Sequence, residues 1–297
     1  MEAHLKNPTC WFLRTTQPVG FVSLGRSGDL MILFPGFKAI YDYTGIKPIV
    51  FTSRDFASIF NGISYAQCRA LNVNWRWGAR EAVKIAKREF DNVVVPKWWD
   101  DPTFKAPPII EPHVPTVTVT YDNRRYTFAK EDYKNYMMSQ WKHAGFTQEQ
   151  FHQWPLVFDR RNKANEAALK KFYYRTGKPK LLFNFGGHTS PCRNSQPISR
   201  ILASFQSHFE LIDLGRVRAP FVFDLLGLYD DAVGLITSDT ATLHLAGASP
   251  IEYIGLIANG TGGSLTRGNC LLRVRYNKIP VQLAEIEAVV RKWKEKK

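Results

Sequence analysis

The sequence is poor in cysteine and contains no long hydrophobic run. Its 297 residues include four scattered cysteines, none in a C-x-x-C pair: Cys10, Cys68, Cys192 and Cys270. This spacing argues against a disulfide scaffold or a zinc site, and it predicts buried or unreactive thiols. No stretch approaches the roughly 18 apolar residues that span a bilayer, and the N-terminus lacks the apolar core of a signal peptide. We therefore expect a cytoplasmic protein.

Acidic residues are also scarce relative to basic ones. The chain has 40 lysines and arginines against 26 acids, which gives a formal net charge of +14 and a pI near 9.6. An excess of this size predicts attraction to a polyanion, which could be nucleic acid, an anionic lipopolysaccharide or a membrane surface. A chain that is basic without such a partner stays an alternative.

The chain length favours two domains of roughly 150 residues each. Short apolar runs alternate with helical patterns, as in the amphipathic stretch 79–90 between the runs 48–51 and 92–95. This rhythm predicts an α/β fold with doubly wound parallel sheets. Proline and charge interrupt the pattern near 155–161, so we expect a first domain over 1–158 and a second over 159–297. The second ends in a predicted terminal helix.

Two stretches join an apolar run directly to a polar turn and a helical pattern. In the first, the run at 21–24 meets Gly25-Arg26-Ser27-Gly28-Asp29, and in the second the run 232–236 meets Thr237-Ser238-Asp239-Thr240. In the second we expect Ser238 or Asp239 to cap the helix. Such turns lie at the carboxyl edge of parallel sheets, where open α/β folds bind phosphorylated ligands. An ordinary capped helix is the alternative for each.

Both stretches resemble motifs of the heptosyltransferase-like glycosyltransferases, family 9, which have the GT-B fold. The first resembles the family pattern in Gly28-Asp29, five residues, Pro35 and then Phe37-Lys38-Ala39-Ile40; the second does so in Asp239-Thr240-Ala241-Thr242-Leu243-His244-Leu245. The resemblance implies two Rossmann-like domains facing a cleft, with the acceptor bound by the first and a nucleotide-sugar donor by the second. The chain departs from the family after Leu245, so ADP-heptose is not assumed as the donor.

A β-hairpin is predicted in the first domain, where the family has no such hallmark. The alternating run 116–120 and the run 124–128 flank Asp122-Asn123, a typical hairpin turn. We interpret it as a candidate acceptor-specific insertion.

Sugar transfer requires a base for the acceptor hydroxyl and neutralisation of the departing diphosphate. The resemblance implies Asp29 as the base, although a helix-start acid is its ordinary role. Because the metal-binding pattern Asp-x-Asp is absent, we expect no metal. Backbone N–H groups of Thr240 and its successors and the Thr240 hydroxyl would neutralise the diphosphate, together with a basic residue that the resemblance implies, for which Arg193 is the candidate. Asp239 suits the sugar hydroxyls. The other predicted donor-binding residues are Gly186, Gly187, Leu243 and His244, the last equally consistent with a structural histidine.

The predicted acceptor site interleaves aromatic and cationic side chains. It comprises Arg26 and the run Trp75-Arg76-Trp77. Such a surface suits a stacked base beside phosphates, and it also suits sugar rings. Core packing is the alternative role of each tryptophan.

These features together predict a metal-independent inverting glycosyltransferase with a polyanionic acceptor, either a modified DNA base, as in phage-type DNA glycosylation, or a lipopolysaccharide core. The alternatives are a non-catalytic nucleic-acid-binding protein on the same frame and a nucleotide-sugar epimerase. A dehydrogenase is disfavoured because Gly25-Arg26-Ser27-Gly28 lacks the third glycine of G-x-G-x-x-G. The oligomeric state stays open.

Overall fold

The structure is a computed structural model that describes residues 16–96, 116–121, 124–129, 136–187, 191–258 and 266–295. The chain divides into two compact units, Met1–Val157 and Phe158–Lys297. Each unit is an α/β assembly around a parallel sheet, which agrees with the predicted fold class.

The sheet of the first unit has four parallel strands in the order β3-β2-β1-β4. A 3-10 helix, Arg54–Gly62, follows the second strand. The strands are β1 Gly20–Val22, β2 Ile49–Ser53, β3 Gln67–Leu71 and β4 Val93–Val94, and the first two helices are α1 Ser27–Thr44 and α2 Ala79–Glu89.

Helix α1 is almost wholly buried along its first half and continues through Pro35. The next residue is Gly36, and the ring of Phe146 packs directly against its Cα. A Cβ at this position would stand 2.2 Å from that ring, so only glycine fits here. Phe146 in turn stacks on the fully buried Trp141 with ring centroids 4.3 Å apart. This aromatic contact fixes a helical pair, α3 Tyr136–His143 and α4 Gln148–Gln153, against α1.

A separate antiparallel pair consists of β5 Thr116–Tyr121 and β6 Arg124–Ala129. These strands coincide with the predicted hairpin. That the pair is an insertion relative to family 9 proteins stays a prediction, and residues 122–123 of its turn lie outside the described residues.

The second unit contains a five-stranded parallel sheet in the order β11-β10-β9-β7-β8. Two 3-10 turns, Leu214–Arg216 and Val222–Leu225, precede its third helix. In chain order the elements are α5 Lys163–Tyr173, β7 Lys180–Asn184, α6 Gln196–Ser204, β8 Glu210–Asp213, α7 Leu226–Asp231, β9 Ala232–Ser238, α8 Ala241–Ala246, β10 Glu252–Ile257, β11 Asn269–Arg275 and α9 Leu283–Glu295.

The last helix, α9, completes the core of the second unit. Its Trp293 is fully buried, and its ring lies 2.4 Å from where a Cβ on Gly234 would stand. The indole N–H of Trp293 donates to the Glu252 carboxylate at 3.0 Å, so the buried polar atom has a partner. Because Gly234 of the central strand β9 has no side chain, the Trp293 ring packs directly on the sheet at this position.

The sequence did not reveal strand β3. Its residues Gln67–Leu71 are mostly exposed because β3 pairs with β2 on one side and forms the edge of the sheet. A strand covered on so little of its surface needs no hydrophobic run, and none is present to signal it.

Candidate functional site

Each parallel sheet reverses its winding at one point. In the second sheet, the chain leaves β7 toward β8 on one side and then crosses to β9 and β10 on the other. In the first, it leaves β1 toward β2 and later crosses to β4 on the opposite side. Open α/β sheets bind ligands at the carboxyl end of such reversals, because the loops there diverge and leave a crevice. Both predicted motifs follow strands that border these points.

The second switch point is occupied by a buried network of neutral side chains. The Thr242 hydroxyl lies at its centre, 2.6 Å from the Thr237 hydroxyl and 2.8 Å from the Thr240 hydroxyl. From the end of β7, the Asn184 amide donates to Thr242 at 2.9 Å and to Thr240 at 3.3 Å. The network therefore joins the ends of β7 and β9 without any formal charge.

Two further contacts hold the turn after β9. The Ser238 hydroxyl donates to the Gly186 carbonyl at 2.7 Å, while the Gly186 N–H donates to the Asn184 side chain at 3.0 Å. The Asp239 N–H donates to the Tyr276 phenol oxygen at 3.3 Å. Burial raises the pKa of Tyr276 well above its usual value, so the phenol stays neutral and accepts this hydrogen bond.

Thr240 occupies the N-cap position of α8, in place of the predicted Ser238 or Asp239, and its side chain caps no helix N–H. Its hydroxyl instead faces Asn184 and Thr242 within the network. The first N–H groups of a helix have no acceptor inside that helix. This helix start can therefore offer an anion the backbone N–H groups of residues 241 and 242, while a contact from the Thr240 N–H or hydroxyl stays a prediction.

The remaining predicted donor-binding residues differ in their surroundings. Arg193 is exposed in the loop between β7 and α6, and Gly187 follows Gly186 in the same loop. Leu243 is buried and packs against Gly255 of β10, which makes it a core residue. His244 is half-buried in the last turn of α8. A role for any of them in donor binding stays a prediction.

The first switch point carries a charged side chain. Asp29 lies in the first turn of α1, half-buried, and its carboxylate accepts the Arg26 N–H at 3.0 Å. A Cβ on Gly25 would stand 2.4 Å from the Asp29 Cβ, so only glycine lets the aspartate fold back over the turn. The helix-start role named as the alternative for Asp29 is therefore present. A carboxylate accepts several hydrogen bonds, so this contact leaves the residue able to receive a proton.

The predicted acceptor residues include a stacked group beside Asp29. The Arg26 guanidinium lies 4.4 Å from the centroid of the Trp75 ring, and that of Arg76 lies 4.8 Å from it. Trp77 is 68% exposed. Two of the four residues thus contact the ring of a third, Trp75, and all four come from the turns after β1 and β3.

The thiols fit the expectation of unreactive cysteines. Burial raises the pKa of Cys68 and of Cys192 to about 11, so neither is a thiolate at neutral pH. Within the described ranges, no three histidine, cysteine, aspartate or glutamate side chains are grouped as ligands of a metal ion. In the same part of the chain, no helix combines the length and apolar character of a membrane span.

No protein-family model and no curated sequence relative matches the chain. Solved structures do match its architecture. A glycosyl transferase family 9 protein from Veillonella parvula superposes with a TM-score of 0.54 at 9% identity, over 91% of this chain and 89% of that one. The chain has the fold of glycosyltransferase family 9. The resemblance predicted from the two motifs is thereby confirmed at the level of the fold.

Two E. coli enzymes with this family 9 fold are also similar. ADP-heptose lipopolysaccharide heptosyltransferase II has a TM-score of 0.52 at 9% identity, covering 93% of this chain and all of that one. Heptosyltransferase WaaC, solved with ADP, has a TM-score of 0.51 at 12% identity, covering 91% of this chain and all of that one.

The main residues that sequence reasoning missed are Asn184, Thr242 in its role as the network centre, and Tyr276. Asn184 ends a buried strand, and a polar residue at that position is a usable signal for a switch-point contact. Tyr276 reaches Asp239 from 37 residues further along the chain, and no local pattern indicates such a contact.

Proposed function

We propose that this protein is a metal-independent inverting glycosyltransferase, which moves a sugar from a nucleotide-sugar donor to a hydroxyl group of a polyanionic acceptor. The observation that carries the proposal is the pair of family-like motifs, each following a strand that borders a switch point in a fold shared with family 9 glycosyltransferases.

In the proposed reaction, Asp29 takes the proton from the acceptor hydroxyl. The acceptor oxygen then forms a bond to the anomeric carbon, on the face opposite the leaving group. The bond between that carbon and the diphosphate oxygen breaks, and its electron pair leaves with the nucleoside diphosphate. One displacement inverts the configuration at the anomeric carbon.

The turn after β9 suits the departing diphosphate. Its uncharged network places no carboxylate among the Asn184, Thr237, Thr240 and Thr242 side chains, and it holds the first turn of α8 with N–H groups available. Asp239 would bind hydroxyls of the donor sugar, and the exposed Arg193 would add a positive charge. Preorganised donors of this kind stabilise charge without reorganising during the reaction.

A thermal-shift screen of nucleoside diphosphates and nucleotide sugars, with and without Mg²⁺, tests the donor site. A ligand that binds only the folded protein raises its melting temperature. We expect one nucleotide to stabilise the protein equally well without Mg²⁺. The same nucleotide sugar should then release its nucleoside diphosphate only when an acceptor is added. Release without an acceptor would instead mean transfer of the sugar to water, and conversion of the nucleotide sugar without any release of nucleoside diphosphate would favour the nucleotide-sugar epimerase.

A further inference from the structure

Helix α2 has one apolar face and one strongly basic face. Its four buried side chains are small or branched and pack under the sheet: Ala79, Ala82, Val83 and Ala86. Its four basic side chains are all exposed: Arg80, Lys84, Lys87 and Arg88. Only two acids, Glu81 and Glu89, share the helix with them. The surface of this helix is therefore positive.

The four basic residues form a stripe along the helix. At 3.6 residues per turn they lie within an arc of about 100°, and they span about 12 Å along the axis. Lys84, Lys87 and Arg88 make no ion pair with any residue in the described part of the chain. Because these three cations have no ion pair there, their charge is available to a ligand, although Lys87 and Arg88 also suit the negative end of the helix.

The turn before α2 extends this surface with aromatic rings. The Gly78 N–H donates to the Asn74 carbonyl at 2.8 Å, and the Arg76 N–H donates to the Asn74 side chain at 2.8 Å. This closed turn carries the exposed Trp77 and the Arg76 guanidinium above Trp75. The basic stripe thus begins beside the stack that contacts Arg26.

We infer that this surface, the α2 stripe with the 74–78 turn, binds the sugar-phosphate backbone of a nucleic acid, with Trp77 stacking on a base. That the bound nucleic acid is also the acceptor of the sugar rests on the proposed function. The inference then narrows the class of acceptor to nucleic acid.

The spacing of the charges favours nucleic acid over a glycolipid. On each strand of a duplex the phosphates follow one another at a rise of about 3.4 Å along the helix axis and are farther apart along the backbone itself, so a 12 Å stripe is long enough to meet more than one phosphate of a strand. An exposed tryptophan at the end of such a stripe is typical of surfaces that stack unpaired bases. A lipopolysaccharide core offers fewer phosphates than a nucleic acid strand, and a surface that bound its acyl chains would also be apolar. In the described part of the first unit, the large exposed hydrophobic residues are only Tyr43 and Trp77.

The test is the salt dependence of DNA binding, measured by fluorescence anisotropy with labelled single-stranded and duplex DNA. The variant Lys84→Gln/Lys87→Gln/Arg88→Gln removes three charges and keeps good helix formers. We expect the slope of log K against log salt to fall in magnitude by about 2 to 3, since each lost phosphate contact removes about 0.7 to 0.9. Trp77→Ala should weaken single-strand binding about tenfold and duplex binding less.

The matched control is Lys171→Gln/Lys292→Gln/Lys294→Gln, which removes three exposed lysines from helices of the second unit. Its salt slope should equal that of the wild type. An equal loss in both triple variants would overturn the inference, because binding would then depend on net charge alone. Binding of lipopolysaccharide micelles, but not DNA, through Lys84, Lys87 and Arg88 would assign the surface to a glycolipid and also overturn it.

The proposed function can fail independently of this inference. DNA binding through α2 without nucleotide binding by the protein would uphold the surface and reject the transferase. Sugar transfer to an acceptor other than nucleic acid, with no DNA binding, would uphold the transferase and reject the nucleic-acid surface.

Discussion

The two switch points are built from opposite kinds of side chain. In the first unit a carboxylate, Asp29, folds over the turn and accepts a backbone N–H. In the second, hydroxyls and one amide satisfy each other in a buried network around Thr242. An acid able to take a proton suits an acceptor hydroxyl, whereas a neutral network suits an anionic diphosphate. The same backbone motif is therefore held by a carboxylate in the first unit and by an uncharged buried network in the second, where the half-buried Asp239 of the same turn is the residue proposed for the sugar hydroxyls.

The strongest test of this comparison is Asp29→Asn. The amide still accepts the Arg26 N–H, so the helix start should be preserved, but it cannot take a proton at neutral pH. We expect transfer to fall about 10²- to 10⁴-fold, as is usual for loss of a general base. Nucleotide binding in the thermal-shift assay should be unchanged. Full turnover in a folded variant would remove Asp29 from the mechanism.

At the second switch point, Thr242→Val removes the central hydroxyl with almost no change in volume. Asn184 is buried, and its amide loses its nearer acceptor, which should lower the free energy of unfolding by about 1 to 3 kcal/mol. We also expect the donor KM to rise about tenfold with a smaller effect on kcat, because the turn is less well held. A change confined to stability would mean that the network supports the fold alone.

Gly25→Ala tests the steric requirement at the first switch point. The new methyl group would stand 2.4 Å from the Asp29 Cβ and must displace it. We expect a loss of about 1 to 3 kcal/mol in stability by this overpacking, together with lower transfer activity. Gly177→Ala is the control, since nothing lies within 4 Å of its added Cβ. Equal stability of the two variants in thermal unfolding would show that Asp29 moves aside at no cost.

An ion pair between Lys180 and Glu210 joins the starts of β7 and β8, at the opposite end of these strands from the proposed donor site. Glu210 begins β8, where the Lys180 ammonium lies 2.7 Å away and the Arg175 and Thr176 N–H groups donate to it. Burial opposes its ionisation, but these hydrogen bonds prevail and lower the pKa of Glu210 to about 2.

We therefore expect Glu210→Gln to destabilise the protein by about 1 to 2 kcal/mol at pH 7 without affecting nucleotide binding. Because the folded pKa lies below the unfolded value, this stabilisation is complete above pH ~4.5 and is lost as the pH falls toward 2. Unfolding of the wild type and the variant should then converge in acid. A constant difference across that range would contradict the assignment.

The smallest change in stability should come from Thr52→Val. It is the same chemical change as Thr242→Val, made in the first unit instead of the second. Thr52 is fully buried in β2, and its hydroxyl has no hydrogen-bond partner among the described residues. Removing an unsatisfied hydroxyl relieves its desolvation cost, so stability should stay equal or rise by up to about 1 kcal/mol. A loss as large as that of Thr242→Val would mean that a bound water satisfies Thr52.

Much of this fold could be predicted from the sequence, because its inner strands are buried on both faces and stand out as apolar runs. Both candidate turns were predicted in the same way, since a short polar segment containing an aspartate follows each run directly. The edge strand β3 and the contacts of Tyr276 were not found. Strand β3 is so exposed that it has no hydrophobic pattern. The contact of Tyr276 with Asp239 depends on which strands lie side by side in the sheet, which no local pattern indicates. Leu243 was chosen from the family motif, and its burial against Gly255 explains its place in that motif by packing.

The burial of Trp293 against Gly234 bears on the order in which the protein is made. The centre of the second sheet stays uncovered until residue 293 has left the ribosome, whereas every strand of the first sheet is available some two hundred residues earlier. We expect the unit with Asp29 to fold while the second unit is still being synthesised, and the unit with Asp239 to fold only after residue 293 has emerged. A nascent chain would thus acquire its basic surface well before it could hold a donor.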